Sequence, residues 1–454
     1  MPLLPRPRLL TCLLLGAFVI AAPVRAQSLK ELYEAARGYD AAYLAAVAQA
    51  DSAQYKAAQA HALRRPNVSL TVSAGRTLAD SPVGAARYSA SNGIGPTVQG
   101  QQSLFNRAND ATISQADLSL DVARAQLRSA EQDLIVQVAQ AYFDVLTARD
   151  TQASLRANQK AIAEQLASAK RSFEVGTATI TDTREAQARY DLSTAQLLAA
   201  ENDLRVKEAT LSQRVGRPAA DPKSLAPATP LPAVQPADVE PWLRDAEKQS
   251  PLIAQAQTAF DIAKLETEKA RAGHLPTVGL TGSYGKTRIS VDGRILNSAT
   301  GLETPYSGDG TKTDASIGVA LNLPLYQGGA IDNRVKETLK LEEKTRNDLE
   351  AARRNVSLAT RQAFLGVQSL RAQVSAYEAA ESSSKLALEA TQLGYKVGVR
   401  VNLDVLNAQA QLYSTQQLLA KARYDVVVNG LRLRQAAGVL MPADVESVNA
   451  LLAP

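Results

Sequence analysis

Two periods of hydrophobicity run along this chain. Ile317, Val319, Leu321, Leu323 and Leu325 alternate with Ser316, Gly318, Ala320 and Asn322. That period of two predicts a strand with one apolar and one small polar face. Val68, Leu70, Val72 and Ala74 alternate with Asn67, Ser69, Thr71 and Ser73 and predict another. Elsewhere the step is seven. Leu127, Leu134, Ala141, Ala148, Leu155, Ile162 and Ala169 are all apolar. A second series runs Leu349, Val356, Ala363, Leu370, Tyr377, Ser384, Thr391 and turns polar toward its end. A sustained period of seven supercoils helices around partners.

The chain also repeats itself. PNVSLTVSAGRT at 66–77 meets PTVGLTGSYGKT at 276–287, an offset of 210. FEVGTATITDTREAQA at 173–188 meets YKVGVRVNLDVLNAQA at 395–410, and Gly216 meets Gly438, both at an offset of 222. Such ordered self-similarity marks a duplication, with extra residues in the second hairpin. Repeat 1 spans 27–215 and repeat 2 spans 239–438. Between them, residues 216–241 carry seven prolines, a density no helix survives, and form an extended linker. A C-terminal tail follows at 439–454.

Each half parses alike. Helices are expected over about 29–63 and 239–273, hairpins over 66–105 (strands 66–78 and 94–105) and 276–326 (strands 276–289 and 313–326). Long helices are expected over 107–172 and 329–394, and last helices over 181–214 and 403–436, after Val-Gly turns. A helix of about 66 residues is roughly 100 Å long. The two shorter helices of a half, stacked end to end, match it. All strands then gather at one end and all Val-Gly turns at the other. Strands with one apolar and one small polar face suit a membrane barrel, with an ordinary half-buried hairpin as the alternative. Four strands cannot close such a barrel, so the chain must share one with other copies.

Composition narrows the chemistry. Aromatics are only 5% of the chain, which suits long helices with shallow knobs rather than a thick core. Residues 1–26 read as a secretory leader: Arg6 and Arg8, an apolar run from Leu9 to Ala22, then Val24-Arg25-Ala26 as a cleavage site. Cys12, the one cysteine, lies inside that run and is a poor lipidation site. Without the leader 47 basic groups face 45 acidic ones, a net charge of about +2, which gives no footprint for nucleic acid. Two histidines, His61 and His274, flank the hairpins at similar repeat positions without a metal-spaced cluster, so no metal, cofactor or catalytic residue is expected. GSYGKT at 282–287 fails phosphate-loop spacing, since the required glycine is Leu280. Tyr88, Phe105, Tyr284, Tyr306 and Tyr326 are candidates for an aromatic girdle at a membrane rim, with some of them simply loop residues as the alternative.

The duplicated order, LPLYQGG at 323–329 and the Val-Gly turns at 175–176 and 397–398 resemble the TolC family of outer-membrane channel-tunnels. The resemblance covers essentially the whole mature chain. It implies a mainly α fold with a membrane β-barrel: a homotrimer with a twelve-stranded barrel in outer-membrane lipid and a coiled-coil helical tunnel in the periplasm. It implies an exit duct for type I protein secretion or multidrug efflux. The implied partners are a periplasmic adaptor (membrane fusion protein) and an inner-membrane ABC or RND transporter. Members carrying a lipidated first Cys serve some efflux pumps, and its lack here points to the secretion branch. Residue by residue, Tyr395 and Arg400 correspond to the family's gate, with Thr181 and Asp182 as outer-coil partners. Asp404 corresponds to the first acid of the pore constriction, and Asn407 replaces the second. Val175, Gly176, Val397 and Gly398 are the expected adaptor-docking positions. The competing reading is a periplasmic coiled-coil adaptor, which should show one helical hairpin flanked by lipoyl-like halves.

Overall fold

The computed structural model describes residues 26–81, 86–218, 220–226, 230–297 and 299–453; the expected leader lies outside them except for Ala26. Strand β1 (Asn67–Asp80), β2 (Ala86–Phe105), β3 (Thr277–Leu296) and β4 (Glu303–Asn322) form one antiparallel sheet in the order β1-β2-β3-β4. All four strands run further toward the hairpin tips than alternation foretold, β1 by only two residues. Residues 89–93 of β2 are small or polar, yet each pairs with β1 and β3 through its backbone. β4 stops at Asn322, two residues before Pro324, which lacks an N–H for the ladder.

The register sorts the faces. Val68, Gly100, Gly282 and Ile317 share one row, and Leu70, Val98, Tyr284 and Ala315 the next. This apolar face is open: Val68, Leu70, Val72, Ile317, Val319 and Leu321 are all largely exposed. The other face is polar, with the Ser283 and Ser316 hydroxyls 2.9 Å apart. A bulge between Ser103 and Phe105 brings Phe105 beside Val278 on the apolar face. Tyr306 pairs with Gly293 on the polar face, so it is no part of an outward girdle. Among the described residues, no helix is long and apolar enough to cross a membrane.

Each half begins with two helices where the sequence suggested one. α1 (Leu29–Arg37) and α2 (Ala41–His61) part at Gly38-Tyr39-Asp40, where the Asp40 carboxylate caps α2 by accepting from the Tyr43 N–H at 2.8 Å. In the second half the corresponding helices part at Ser250, extended because Pro251 follows it. The long helices are α3 (Arg107–Glu174) and α7 (Ala330–Lys396), and each last helix stacks below its short partner. In chain order, α4 is Ile180–Val215, α5 Val239–Gln249, α6 Pro251–Arg271, α7 Ala330–Lys396, α8 Asn402–Ala436 and α9 Pro442–Asn449. Of the seven-step positions, Leu134, Ala141, Ala148, Ile162, Ala169, Leu349 and Val356 are buried.

Around the middle of α3 the molecule thickens. Leu29, Leu32 and Tyr33 of α1, Leu134 to Leu146 of α3, Val427 and Leu431 of α8, and Val445 and Val448 of α9 make the largest core. The 439–454 segment is therefore not a plain tail. The linker is knitted in as well: Tyr142 donates to the Lys223 carbonyl at 2.8 Å, and the Arg149 guanidinium holds Asp221 at 2.7 Å. Burial pushes the Tyr142 phenol up, keeping it a donor. The Ala453 N–H donates to the Ser224 carbonyl, so linker and C-terminus pair.

Polar clamps join the helices next to the sheet. Arg64 meets Asp110 at 2.7 Å, and the pair in the same repeat positions is His274 with Asp332 at 3.3 Å. His61, by contrast, meets Asp117 at 2.9 Å. The Glu266 carboxylate accepts from Gln115 at 3.0 Å and Arg334 at 2.7 Å, tying α3, α6 and α7. Burial opposes its charge, but those bonds outweigh it and hold the carboxyl below the usual range.

Repeat-related glycines lock the joints. Gly216 (φ 66°) and Gly438 (φ 74°) end α4 and α8, each against the break of its own half's helix pair. A Cβ at 216 meets the Tyr39 ring at 2.4 Å, and one at 438 meets the Gln249–Ser250 backbone at 2.6 Å. The exposed Tyr39 ring can swing aside; the backbone cannot. Gly438→Ala should therefore destabilise by about 2–3 kcal/mol and Gly216→Ala by about 1–2 kcal/mol, read as the order of their melting temperatures. Equal melting temperatures for the two variants would contradict this packing.

Candidate functional site at the helix tips

At the end far from the sheet the two repeats make the same turn. The Thr177 N–H donates to the Ser172 carbonyl at 2.8 Å and the Gly176 N–H to Phe173 at 3.0 Å. In the second half Val399 donates to Gly394 at 2.9 Å and Gly398 to Tyr395 at 3.1 Å. These bonds satisfy the last carbonyls of α3 and α7, and they require a left-handed residue, supplied by Gly176 (φ 80°) and Gly398 (φ 81°). A Cβ at either glycine meets nothing within 4 Å, so dihedral angle rather than crowding fixes glycine there. Val175, Val397 and Val399 are two-thirds to three-quarters exposed, which leaves an apolar tip on each turn.

The helices that leave the turns start differently. Thr179 caps α4 in a full capping box: its hydroxyl accepts from the Asp182 N–H at 3.2 Å, and Asp182 Oδ2 accepts from the Thr179 N–H at 3.0 Å. The repeat mate of Thr179 is Val401, which has no capping oxygen, and the mate of Asp182 is Asp404. Asp404 is thus free of a box and meets Arg400 Nη1 at 3.5 Å instead. The Arg400 stem lies over Gly394, where an added Cβ would come 2.8 Å from its Cγ.

The structure therefore brings Arg400 and Asp404 together and places Thr181 and Asp182 on the other turn. Among the described residues, no hydrogen bond or ion pair within one chain joins Tyr395 or Arg400 to Thr181 or Asp182. Asn407 is engaged across the repeats: its Oδ1 accepts from Arg189 of α4 at 3.1 Å.

A seam between α3, α4 and α8 lies just above the tips. Leu406 of α8 is buried with Ile162, Leu166, Ala169 and Ala186 of the first repeat. Gln165 donates to Asn402 beside it. Asn402 Nδ2, Gln409 Oε1, Asn158 Oδ1 and Thr183 Oγ1 are buried without partners. A seam with unpaired polar groups is held less firmly than an apolar one. Arg189, Gln165 and Asn402 escaped sequence reading, because polar residues on a helix look alike until the facing helix is known. Leu406 was visible only as one more apolar residue.

Comparison with known proteins follows the duplication. A family model described as outer membrane efflux protein matches residues 32–217 and again 242–439. Outer membrane protein TolC of Vibrio cholerae is 32% identical over 436 residues, 95% of each chain. Alkaline protease secretion protein AprF of Pseudomonas aeruginosa is 33% identical over 356 residues, 78% of this chain and 71% of that protein. The crystal structure of the outer membrane protein VceC from Vibrio cholerae superposes with a TM-score of 0.75 at 20% identity, over 90% of this chain and 96% of that one.

The unequal caps generate a test. Val401→Thr should rebuild the box on Asp404 and draw its carboxylate from Arg400, stabilising the first turn of α8 by about 0.5–2 kcal/mol. Amide exchange at Asp404 should slow accordingly, and Thr179→Val should speed exchange at Asp182. Unchanged exchange in both variants would contradict the assignment.

Proposed function

Since the chain belongs to the outer membrane efflux protein family, we propose that three copies build an exit duct through the outer membrane for type I protein secretion and multidrug efflux. The protein is a channel component of the outer membrane and not an enzyme. The observation that carries this reading is the four-stranded sheet: its apolar face is open to the surroundings, and all of it lies at one end of helices about 100 Å long. That geometry suits a sheet in lipid above a helical tunnel in the periplasm. It does not suit an adaptor, which would carry lipoyl-like halves in place of the sheet.

The partners proposed are a periplasmic adaptor and an inner-membrane ABC or RND transporter. The adaptor's helical hairpin would pack on the apolar tips, over Val175-Gly176 and Val397-Gly398. Arg400 and Tyr395 would hold the inner coil against Thr181 and Asp182 of an outer coil when copies assemble. Asp404 would face the narrowest part of the pore. With Asn407 as its uncharged neighbour, a trimer carries three carboxylates there rather than six. Exposed pairs such as Arg400–Asp404 contribute about 0–1 kcal/mol each, and the polar seam above them adds little. Such a closure holds at rest and yields to a partner.

Planar-bilayer recording tests the gate. Arg400→Ser should raise resting conductance several-fold with the trimer intact, and adding Tyr395→Phe should raise it further. Asp404→Ala should lower cation preference, because a carboxylate ring at a constriction favours cations. Wild-type behaviour in both Arg400→Ser and Asp404→Ala would place the gate elsewhere. For docking, the pair Gly176→Trp and Gly398→Trp should abolish export while barrel insertion persists. Gly→Asn at both sites, which keeps the left-handed turn, should retain export.

A further inference from the structure

Arg76, Lys286 and Arg288 stand on the apolar face of the sheet within one same-face step of a common height, and their chemistry is not used by a duct. On β3 that face reads Val278, Leu280, Gly282 and Tyr284, then Lys286 and Arg288. On β1 it reads Val68, Leu70, Val72 and Ala74, then Arg76. Arg76 and Lys286 are repeat mates at the offset of 210. The hydrogen-bonded row through Val68 reaches Gly282 rather than its mate Val278, a shift of four residues. Such a stagger accompanies strand tilt in a barrel, so repeat mates sit level around it. A trimer then carries six cations in one ring, with three copies of Arg288 one step further out.

The height of that ring is set by strand geometry. From Val278 to Lys286 is about 26 Å along the strand, or about 20 Å of height at a tilt near 40°. An outward apolar band is about 25 Å tall, so the ring falls at the band's far edge, on the side of the hairpin tips. That edge meets the headgroups of the outer leaflet.

The cations are also poorly neutralised. Among the described residues, neither Arg76 nor Lys286 has a carboxylate within ion-pair distance, whereas Lys312, on the polar face, meets Asp314 at 2.9 Å. Arg288 reaches Asp309 only at 3.6 Å, with both side chains at least 70% exposed. Arg76 and Arg288 flank a shallow pit of about 440 Å³ that Asn92, Ile94 and Ser290 also line. A guanidinium pair over an amide and a hydroxyl, next to apolar surface, fits a phosphate attached to acyl chains.

We propose that Arg76, Lys286 and Arg288 form a binding ring for the phosphorylated headgroups of outer-leaflet lipid. The inference rests on the barrel reading, and its test separates the two. Full-length trimers in zwitterionic nanodiscs, doped with bis-phosphorylated lipid A or its dephosphorylated form, are examined by native mass spectrometry. Wild type should retain the phosphorylated lipid at least about three-fold better, and inorganic phosphate should not displace it. The triple variant Arg76→Gln, Lys286→Gln, Arg288→Gln should lose the preference while still migrating as a heat-modifiable trimer, and Lys312→Gln should keep it. Should the triple variant fail to assemble, Lys286→Gln alone should show a reduced preference. Trimers without phosphate preference, a triple variant that keeps it, or an unchanged Lys286→Gln would overturn the inference and leave the duct standing. Displacement by inorganic phosphate would make this a free-anion site and overturn the lipid assignment. Failure of wild type to insert as a barrel would overturn both.

Discussion

Unpaired sheet edges govern this molecule. The end strands of the sheet are β1 and β4, and each offers a row of N–H and C=O groups with no partner in its own chain. In hydrocarbon every such group must be bonded, and only a closed barrel achieves that with strands. The open apolar face over Val68–Ala74 and Ile317–Leu321 demands lipid. In the proposed duct, other copies meet both demands. Below the sheet, the seven-step apolar seams of α3 and α7 are buried within the chain and pack its own helices together.

Duplication supplied the parts, and small differences between the halves gave them separate tasks. The turns at Gly176 and Gly398 share a bonding pattern, and Gly216 and Gly438 lock equivalent joints. At the start of the next helix the halves diverge. Thr179 ties Asp182 into a cap, whereas Val401 leaves Asp404 to Arg400. One missing hydroxyl frees from the cap a carboxylate whose repeat mate is committed to it. In the same way Arg64 in one half becomes His274 in the other, each facing the equivalent aspartate.

Much of this was legible in the sequence. Period two, period seven and the internal offsets specify strands, long helices and their order, since each reflects a local geometric repeat. The Val-Gly turns were legible because a left-handed residue is a local requirement. What escaped was non-local. The breaks at Tyr39 and Ser250 carry local marks in Asp40 and Pro251, but the glycines that pack against them lie some 180 residues away in sequence. Tyr306 was placed among outward aromatics because its face is fixed by register with Gly293, which composition does not reveal. At the tips, residue types at the expected positions were readable. The Arg189–Asn407 bond and the unsatisfied seam around Asn402 were not, because they depend on which helix faces which.

The requirement for shared closure is tested most directly by the number of chains per particle. Light scattering coupled to size exclusion, on detergent-solubilised protein with its β-sheet circular dichroism intact, measures it. The account predicts three chains per particle and loss of the sheet signal on dissociation. A stable single chain that keeps its sheet would contradict it, since two open edges would then persist in an apolar medium.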